Sequence, residues 1–235
     1  MRYTGVMGTA DNMAILLLPG MDGSGSLLMA LVESLASRRP VHVISYPSRP
    51  LTYDDLTAFV MERTPDGRFV ILGESFSGPI AIEVAATQRR VAGLILASSF
   101  ARHPMPRLLV PLAQLLDLTR VPRRIVEAAL LGALGRPDLI ESLHRVLAAL
   151  PREVIRARAL EVLRVDKRNR LLAVTCPMLC LHGRYDRLVR KKYLDELTAS
   201  RPNCEVRIFD APHMLLETHA VEAAIAINHF CDRVI

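Results

Sequence analysis

The sequence lacks the features that would place the chain in a membrane or mark it for export. No apolar run approaches the ~18 residues that a membrane-spanning helix requires. The longest runs, such as Ala14 to Leu18, have the size of a strand. The segment from Met1 to Asn12 does not have the basic-then-apolar pattern of a signal peptide. We therefore expect a cytoplasmic protein with no transmembrane segment.

Cysteine is scarce, and its spacing does not indicate a metal site. The four cysteines stand at positions 176, 180, 204 and 231. Cys176 and Cys180 bracket the strand-like stretch CPMLC and have no Cys or His partner at the spacing of a zinc site. Reduced cysteines packed in the core are therefore expected, with no metal and no cofactor. Repeats, low-complexity tracts and linkers are also missing, so residues 1–235 are predicted to form a single domain.

Apolar runs alternate with helical patterns along most of the chain. Apolar residues make up 51% of the sequence, enough for a buried sheet covered by helices. Near-continuous apolar strands of this kind are typical of a mostly parallel sheet with helices on both faces. Functional side chains are then expected at the carboxyl ends of the strands. The predicted strands are 13–20, 41–47, 69–75, 91–99, 177–183 and 205–213, and the predicted helices between the early strands are 27–37, 56–63 and 79–89.

Residues 101–170 interrupt this alternation and offer no clear strand. Pro104, Pro122, Pro137 and Pro151 are each well placed to start a helix. We expect a helical lid, inserted between two strands of the sheet. The segment holds 14 basic and 7 acidic residues, so the net charge of +6 of the whole chain originates here.

Ser75 stands where a buried strand runs into a helix, in the stretch GESFSG. A nucleophilic serine needs such a tight turn, which lifts its hydroxyl clear of the backbone at a helix N-terminus. Gly73 precedes it by two residues and Gly78 follows by three, but Ser77 occupies the second glycine position of the pattern G-x-S-x-G. Taken alone, the stretch also fits an ordinary turn between a strand and a helix.

Two further strand ends supply the partners that a nucleophilic serine requires. A serine hydroxyl needs a base, and the base needs an orienting carboxylate. Asp186 follows the strand PMLCLHG, and His213 follows the strand EVRIFD, so the chain order is serine, acid, histidine. His182 precedes the acid and fits this order poorly, and Asp210 is read as a strand-end or turn carboxylate.

A glycine-rich loop, LLLPGMDGSG at residues 16–25, follows the first predicted strand. Acyl transfer requires two backbone N–H groups aimed at the developing oxyanion. The N–H of Phe76, directly after the serine, would be one donor, and the N–H of Met21 in this loop would be the other. A flexible turn is the plain alternative. A phosphate-binding loop fits poorly, because the loop contains no lysine.

Together, LLLPGMDGSG, GESFSG, HGRYDRLV and DAPHMLLE resemble the α/β-hydrolase superfamily over nearly the whole chain. The resemblance implies the α/β-hydrolase fold in shortened form. It also implies that Ser75, Asp186 and His213 form a catalytic triad and that Met21 and Phe76 form the oxyanion hole. Two positions depart from the usual pattern, since Pro19 replaces a histidine and Ser77 replaces a glycine. The resemblance predicts a serine hydrolase that cleaves small-molecule carboxylic esters.

The triad by itself leaves other activities open. A thioesterase, a lysophospholipase and an acyltransferase use the same acyl-enzyme, and a slow-turnover ligand receptor can share the same fold. The apolar stretch from Met105 to Leu116 would suit either an acyl-chain pocket or simple packing of the lid. Nucleic-acid binding is not expected, because no recognised motif accompanies the basic residues.

The positive charge of the predicted lid has two interpretations. Its arginines could simply form solvated helix faces. Alternatively, Arg120, Arg123 and Arg124, clustered around Pro122, could attract anionic substrates or make weak contact with an anionic lipid surface.

Overall fold

Seven strands form one sheet in the computed structural model, which describes residues 2–3, 13–104 and 121–234. Six of the strands are parallel, and only the two-residue β1 pairs antiparallel, with β3. The order across the sheet is β1-β3-β2-β4-β5-β6-β7. The predicted mostly parallel sheet is therefore confirmed. The strands are β1 Arg2–Tyr3, β2 Ala14–Leu18, β3 Val41–Val43, β4 Phe69–Glu74, β5 Val91–Ala97, β6 Met178–Gly183 and β7 Glu205–Phe209.

Each predicted strand is shorter in the structure than the sequence pattern indicated, and two of them end four residues early. β3 ends at Val43 instead of residue 47, because the chain then turns toward the loop after β2, where the Tyr46 N–H donates to the Gly23 carbonyl at 2.8 Å. β7 ends at Phe209 instead of residue 213, because the next residues cross over the end of β6. There the Tyr185 N–H donates to the Ala211 carbonyl at 2.9 Å.

Helices cover both faces of the sheet, as predicted. Successive residues of each central strand point to opposite faces. Leu16 and Leu18 of β2 therefore pack with α2, α3 and α8 on one face, while Ile15 and Leu17 pack with α1 and α10 on the other. The helices are α1 Met29–Ala36, α2 Tyr53–Met61, α3 Gly78–Thr87, α4 Arg123–Leu130, α5 Pro137–Ala149, α6 Arg152–Arg164, α7 Arg168–Leu172, α8 Lys191–Ser200, α9 Leu215–Thr218 and α10 Ala220–Arg233.

The four cysteines carry free thiols and pack in these two cores. Cys180 and Cys231 are buried, and Cys176 and Cys204 are half-buried. The prediction that the cysteines pack in the core is therefore confirmed.

The described residues between β5 and β6 contain the helices α4 to α7, joined by short turns and coil. Pro122 and Pro151 stand directly before α4 and α6, and Pro137 is the first residue of α5, because proline suits the first turn of a helix. Residues 105–120, which contain the apolar stretch from Met105 to Leu116 and Arg120, lie outside the described part.

A small apolar cluster holds α4 and α5 against the loop after β7. Leu131, Leu139 and Leu143 pack with Met214, the residue that follows His213. The Met214 N–H also donates to the Leu130 carbonyl at 3.1 Å.

In the three described ranges, the structure contains no helix that is both long enough and apolar enough to cross a membrane.

Candidate active site

Ser75 occupies a strained turn between β4 and α3. Its φ of 46° lies in the left-handed region, which residues other than glycine rarely adopt. The strand and the helix approach so closely that a Cβ on Gly73 would come within 2.8 Å of the Ala81 Cβ. A Cβ on Gly78 would come within 2.8 Å of the Ser99 Cβ. Both glycines are therefore required, as the motif predicted.

Ser77, the departure from the usual motif, has a buried polar role. Its hydroxyl donates to the carbonyl of Pro19, so the Tyr46 hydroxyl donates in turn to Ser77 Oγ, at 2.6 Å. Ser77 is completely buried. The serine therefore connects the turn around Ser75 to the loop after β2, a connection that a glycine could not make.

Ser75, His213 and Asp186 form a continuous chain of hydrogen bonds. Ser75 Oγ lies 2.8 Å from His213 Nε2, and His213 Nδ1 lies 2.8 Å from Asp186 Oδ2. Ser75 follows β4, Asp186 follows β6 and His213 follows β7. The three side chains meet because the carboxyl ends of parallel strands share one edge of the sheet. The structure thus brings together the three residues predicted from the sequence.

The carboxyl group of Asp186 is fixed on both oxygens. Oδ2 faces His213, while Oδ1 accepts the backbone N–H groups of Leu188 at 2.9 Å and Val189 at 2.8 Å. The side chain of Asp186 has no exposed surface. By contrast, the side chain of Asp210 is 71% exposed and pairs with Arg184. Of the two carboxylates, Asp186 is therefore the one that is buried and hydrogen-bonded to the histidine.

The loop from residue 19 to residue 25 passes beside Ser75. It turns on Gly23 and Gly25, whose φ values of 73° and 72° suit glycine. The Gly20 N–H donates to Glu74 Oε2 at 2.9 Å, and the Gly23 N–H donates to the Gly20 carbonyl at 3.1 Å. Met21, which directly follows Gly20, lines a cavity that Ser75 also lines.

Phe76 is fixed by its side chain in the core below the turn. Its ring stacks on Tyr53 with centroids 4.8 Å apart, and the Tyr53 hydroxyl donates to the Phe76 carbonyl at 2.8 Å. The N–H of Phe76 therefore has a fixed position directly after Ser75, where α3 is about to begin.

A cavity of about 800 Å³ opens at Ser75 and His213. Much of its wall is apolar and comes from residues 121–159, which include Leu143, Leu147 and Ile155. The size and the apolar wall are typical of a small-molecule site.

Two acidic side chains at the floor of this cavity were not predicted as part of the site. Glu74 and Glu217 are both buried, and their carboxyl groups interact. Burial, together with the negative charge of Asp22, raises the pKa of Glu74 to about 7. Burial also raises the pKa of Glu217 well above its usual range. Glu74 directly precedes Ser75, and Glu217 follows His213 by four residues, so their positions in the chain were the available signal.

No group of three or more His, Cys, Asp or Glu side chains is arranged to hold a metal ion within the described ranges.

Comparison with known proteins identifies the family. The model of the Alpha/beta hydrolase family matches residues 15–227. The chain belongs to this family. It is 28% identical over 238 residues to the pimeloyl-[acyl-carrier protein] methyl ester esterase of Citrobacter koseri, a match that covers 92% of this chain and 93% of that protein.

Solved structures share the fold at low sequence identity. The enol-lactonase from Burkholderia xenovorans LB400 superposes with a TM-score of 0.85 at 18% identity, covering 98% of this chain and 94% of that chain. An esterase from Thermogutta terrifontis gives a TM-score of 0.79 at 23% identity, covering 95% and 90%. The predicted α/β-hydrolase fold is therefore confirmed.

Proposed function

We propose that the protein is a serine hydrolase that cleaves carboxylic esters through an acyl-enzyme. Ser75 is the nucleophile, His213 the general base and Asp186 the carboxylate that orients it. The observation that carries this proposal is the unbroken hydrogen-bond chain from Ser75 Oγ to Asp186 Oδ2. The serine end of this chain faces the cavity. A nucleophile, a base and an orienting group in hydrogen-bond reach form the arrangement that activates a serine hydroxyl.

In the first half of the reaction, Ser75 Oγ attacks the carbonyl carbon of the ester while His213 Nε2 takes the hydroxyl proton. The C–O bond to the alcohol then breaks, and the imidazolium of His213 gives its proton to the leaving alcohol. Asp186, held by the N–H groups of Leu188 and Val189, keeps the imidazole in the tautomer whose Nε2 accepts a proton.

In the second half, a water molecule attacks the acyl group on Ser75. His213 takes a proton from the water and returns it to Ser75 Oγ as the ester bond to the serine breaks. The products are a carboxylic acid and the free enzyme. In both halves, the backbone N–H groups of Met21 and Phe76 stabilise the oxyanion, since each lies in a fixed segment next to Ser75.

The substrate is a small ester with an apolar acyl group. The apolar part of the cavity wall, contributed largely by residues 121–159, favours such a group, and the helices between β5 and β6 act as the lid over it. The likeness to a methyl ester esterase further favours a small alkoxy leaving group.

An activity screen with a nucleophile variant tests the proposal. Wild-type protein should hydrolyse p-nitrophenyl esters, and a fluorophosphonate should label Ser75. The variant Ser75→Ala should lose both properties while keeping its circular dichroism spectrum and melting temperature. Ser99→Ala is a poor control because Ser99 Oγ donates to the Ser75 carbonyl. The matched control is Ser34→Ala, because the hydroxyl of the half-buried Ser34 donates within its own helix α1, to the Ala30 carbonyl.

Two outcomes would contradict the proposal. Full activity in Ser75→Ala, or labelling of a different serine, would show that the hydrogen-bond chain is not the reaction centre. Thioesters, lysophospholipids and alcohol acceptors in the same screen test the related acyl-transfer activities. Much faster turnover with any of these would move the substrate class away from simple esters.

A further inference from the structure

Arg158 is an unusually buried cation in the middle of α6. Only 2% of its surface is exposed, whereas Arg152, Arg156 and Arg164 of the same helix are exposed. No carboxylate lies within ion-pair distance of its guanidinium among the residues that the structure describes. A buried charge is costly unless polar groups surround it. The polar groups that bind the guanidinium of Arg158 therefore indicate its role.

Those partners are backbone carbonyls of the loop beside Ser75. Arg158 Nη1 donates to the carbonyls of Met21 and Asp22, each at 2.8 Å. Arg158 Nη2 donates to the carbonyl of Pro47 at 3.2 Å, and the guanidinium lies 5.6 Å from the ring centre of Tyr46. One side chain of α6 thus binds two successive peptide groups of the loop and one of the segment behind it.

The loop fits closely around the guanidinium. A Cβ on Gly23 would come within 2.4 Å of Arg158 Nη1, so the absence of a side chain at Gly23 makes room for the cation. The left-handed backbone of Gly23 and the contact with Arg158 are two separate reasons for a glycine at this position.

These contacts fix the direction of the Met21 N–H. The peptide group that contains this N–H also contains the Gly20 carbonyl, which points the opposite way and accepts the Gly23 N–H at 3.1 Å. The peptide group before it is held by Glu74 through the Gly20 N–H, and the peptide group after it is held by Arg158 through the Met21 carbonyl. The Met21 N–H is therefore held between two anchored peptide groups.

We infer that Arg158 is a positioning residue that holds the Met21 N–H in place to stabilise the oxyanion. This inference rests on the proposed function, in which Met21 supplies one of the two oxyanion donors. Arg158 does not touch the substrate in this role. It acts through the loop, and it makes a helix of the segment between β5 and β6 part of the support of the catalytic centre.

Kinetics of Arg158→Gln and Arg158→Lys test the inference, with rates expressed per Ser75 titrated by a fluorophosphonate. A misplaced oxyanion donor lowers the stabilisation of the transition state more than it lowers the affinity for the substrate. We therefore expect the kcat of Arg158→Gln to fall about 10- to 100-fold while KM changes little. Arg158→Lys keeps the charge but loses the planar pair of donors, so its kcat should lie between those of wild type and Arg158→Gln.

Binding of a trifluoromethyl ketone distinguishes positioning from a merely structural role. The ketone forms a tetrahedral adduct with the serine and places an oxyanion where the two N–H groups converge. Its affinity should fall by the same factor as kcat/KM in each Arg158 variant. A role in stability alone would lower the melting temperature and leave both kcat per titrated site and the ketone affinity unchanged.

Arg156→Gln is the matched control, because Arg156 is an exposed arginine two residues away on the same helix. It should behave like wild type in every measurement. If neither Arg158 variant folds, the comparison of Gly23→Ala with Gly25→Ala decides. Both substitutions strain a left-handed backbone of the same loop, but only a Cβ on Gly23 would push the guanidinium away. The fall in kcat and ketone affinity should then be larger in Gly23→Ala than in Gly25→Ala.

Unchanged kcat and ketone affinity in these folded variants would overturn the inference. The failure of the proposed function would look different, because Ser75→Ala would then keep its activity. An inactive Ser75→Ala together with fully active Arg158 variants would remove only the role of Arg158.

Discussion

The hydroxyl of Ser77 lies 2.6 Å from the phenolic oxygen of Tyr46, and both groups are buried. Ser77 also donates to the carbonyl of Pro19. The serine that replaces a motif glycine therefore joins three segments of the site: the turn after β4, the loop after β2 and the chain that follows β3. Burial with full hydrogen bonding makes this a stabilising contact instead of a defect in the motif.

Restoring the glycine should therefore weaken the protein. In Ser77→Gly, the Tyr46 hydroxyl and the Pro19 carbonyl lose their shared partner, and an unsatisfied buried polar group costs about 1–3 kcal/mol. We expect the free energy of unfolding to fall by about that amount, as measured by urea denaturation. Ser77→Ala removes the same hydrogen bonds without adding the backbone flexibility of a glycine. It therefore separates these two contributions to the loss of stability. A Ser77→Gly variant that is as stable as wild type would contradict this account.

Asp186→Asn should lower kcat by about 10⁴-fold, the reference value for a well-studied triad, because the amide no longer favours the tautomer of His213 that accepts a proton. The change is nearly isosteric, and KM should change little. Steady-state kinetics with a p-nitrophenyl ester provides the measurement.

The matched control for Asp186 is Asp210→Asn, at an exposed carboxylate only three residues before His213. It should retain nearly full activity. Severe loss in Asp210→Asn with a harmless Asp186→Asn would show that the orienting carboxylate has been wrongly assigned.

The raised pKa of Glu74 predicts a specific dependence of the free energy of unfolding on pH. Its pKa is about 7 in the folded protein, against a usual value of 4.5. Between these two values the folded chain holds a proton that the unfolded chain has released, so the stability due to this group falls as the pH rises through the window and is lost above about pH 7. Glu74→Gln keeps a carbonyl acceptor for the Gly20 N–H but has no proton to lose.

The advantage of Glu74→Gln over wild type should therefore grow from about pH 5 to about pH 7, by at most about 1.4 kcal/mol per pH unit, and level off above that. The groups that face Glu74 are Asp22, Glu217, His213 and the Gly20 N–H, and the variant retains all of them. Denaturant titrations at several pH values provide the test. A difference that is constant across this range would mean that Glu74 ionises at its usual pH.

Arg123 lines the cavity, so electrostatic attraction of substrates should depend on it. It is exposed and has no ion pair with any carboxylate in the part of the chain that the structure describes. For an anionic ester, kcat/KM should fall as ionic strength rises, because salt screens exposed charges. A neutral ester of the same acyl length should respond little. Arg123→Gln should reduce the salt response of the anionic ester.

Arg124 offers the matched control for this experiment. It is the next residue of α4 and is also exposed, but it does not line the cavity. Arg124→Gln should keep most of the salt response if attraction acts at the cavity itself. Equal salt responses for the anionic and the neutral ester would instead support simple solvated helix faces.

The meeting of Ser75, Asp186 and His213 could be predicted from sequence because each follows a recognisable strand. The ends of parallel strands must lie along one edge, so three positions that are far apart in the chain have only one place to meet. Strand ends alone do not separate Asp186 from Asp210, because Asp210 directly follows β7. The exposure of Asp210 and its ion pair with Arg184 make the distinction. Strand length was less predictable, because the ends of β3 and β7 depend on contacts with loops outside the sheet.

The role of Arg158 could not be predicted in the same way. Its partners Met21 and Asp22 lie 137 and 136 residues away, and nothing in a count of basic residues separates a buried arginine from a solvated one. A weak signal existed in the helical spacing, because Val154 lies one turn before Arg158 on the buried face of α6.

The attachment of Met214 to the Leu130 carbonyl and to Leu131, Leu139 and Leu143 has a consequence for protein engineering. The helices between β5 and β6 contact the residue that follows His213. Through Arg158, they also bind the carbonyl of Met21. A chimera that imports this segment from a relative would replace the contacts on both sides of the serine at once. Such grafts should succeed only when the loop after β2 and the loop after β7 are transferred together with the helices.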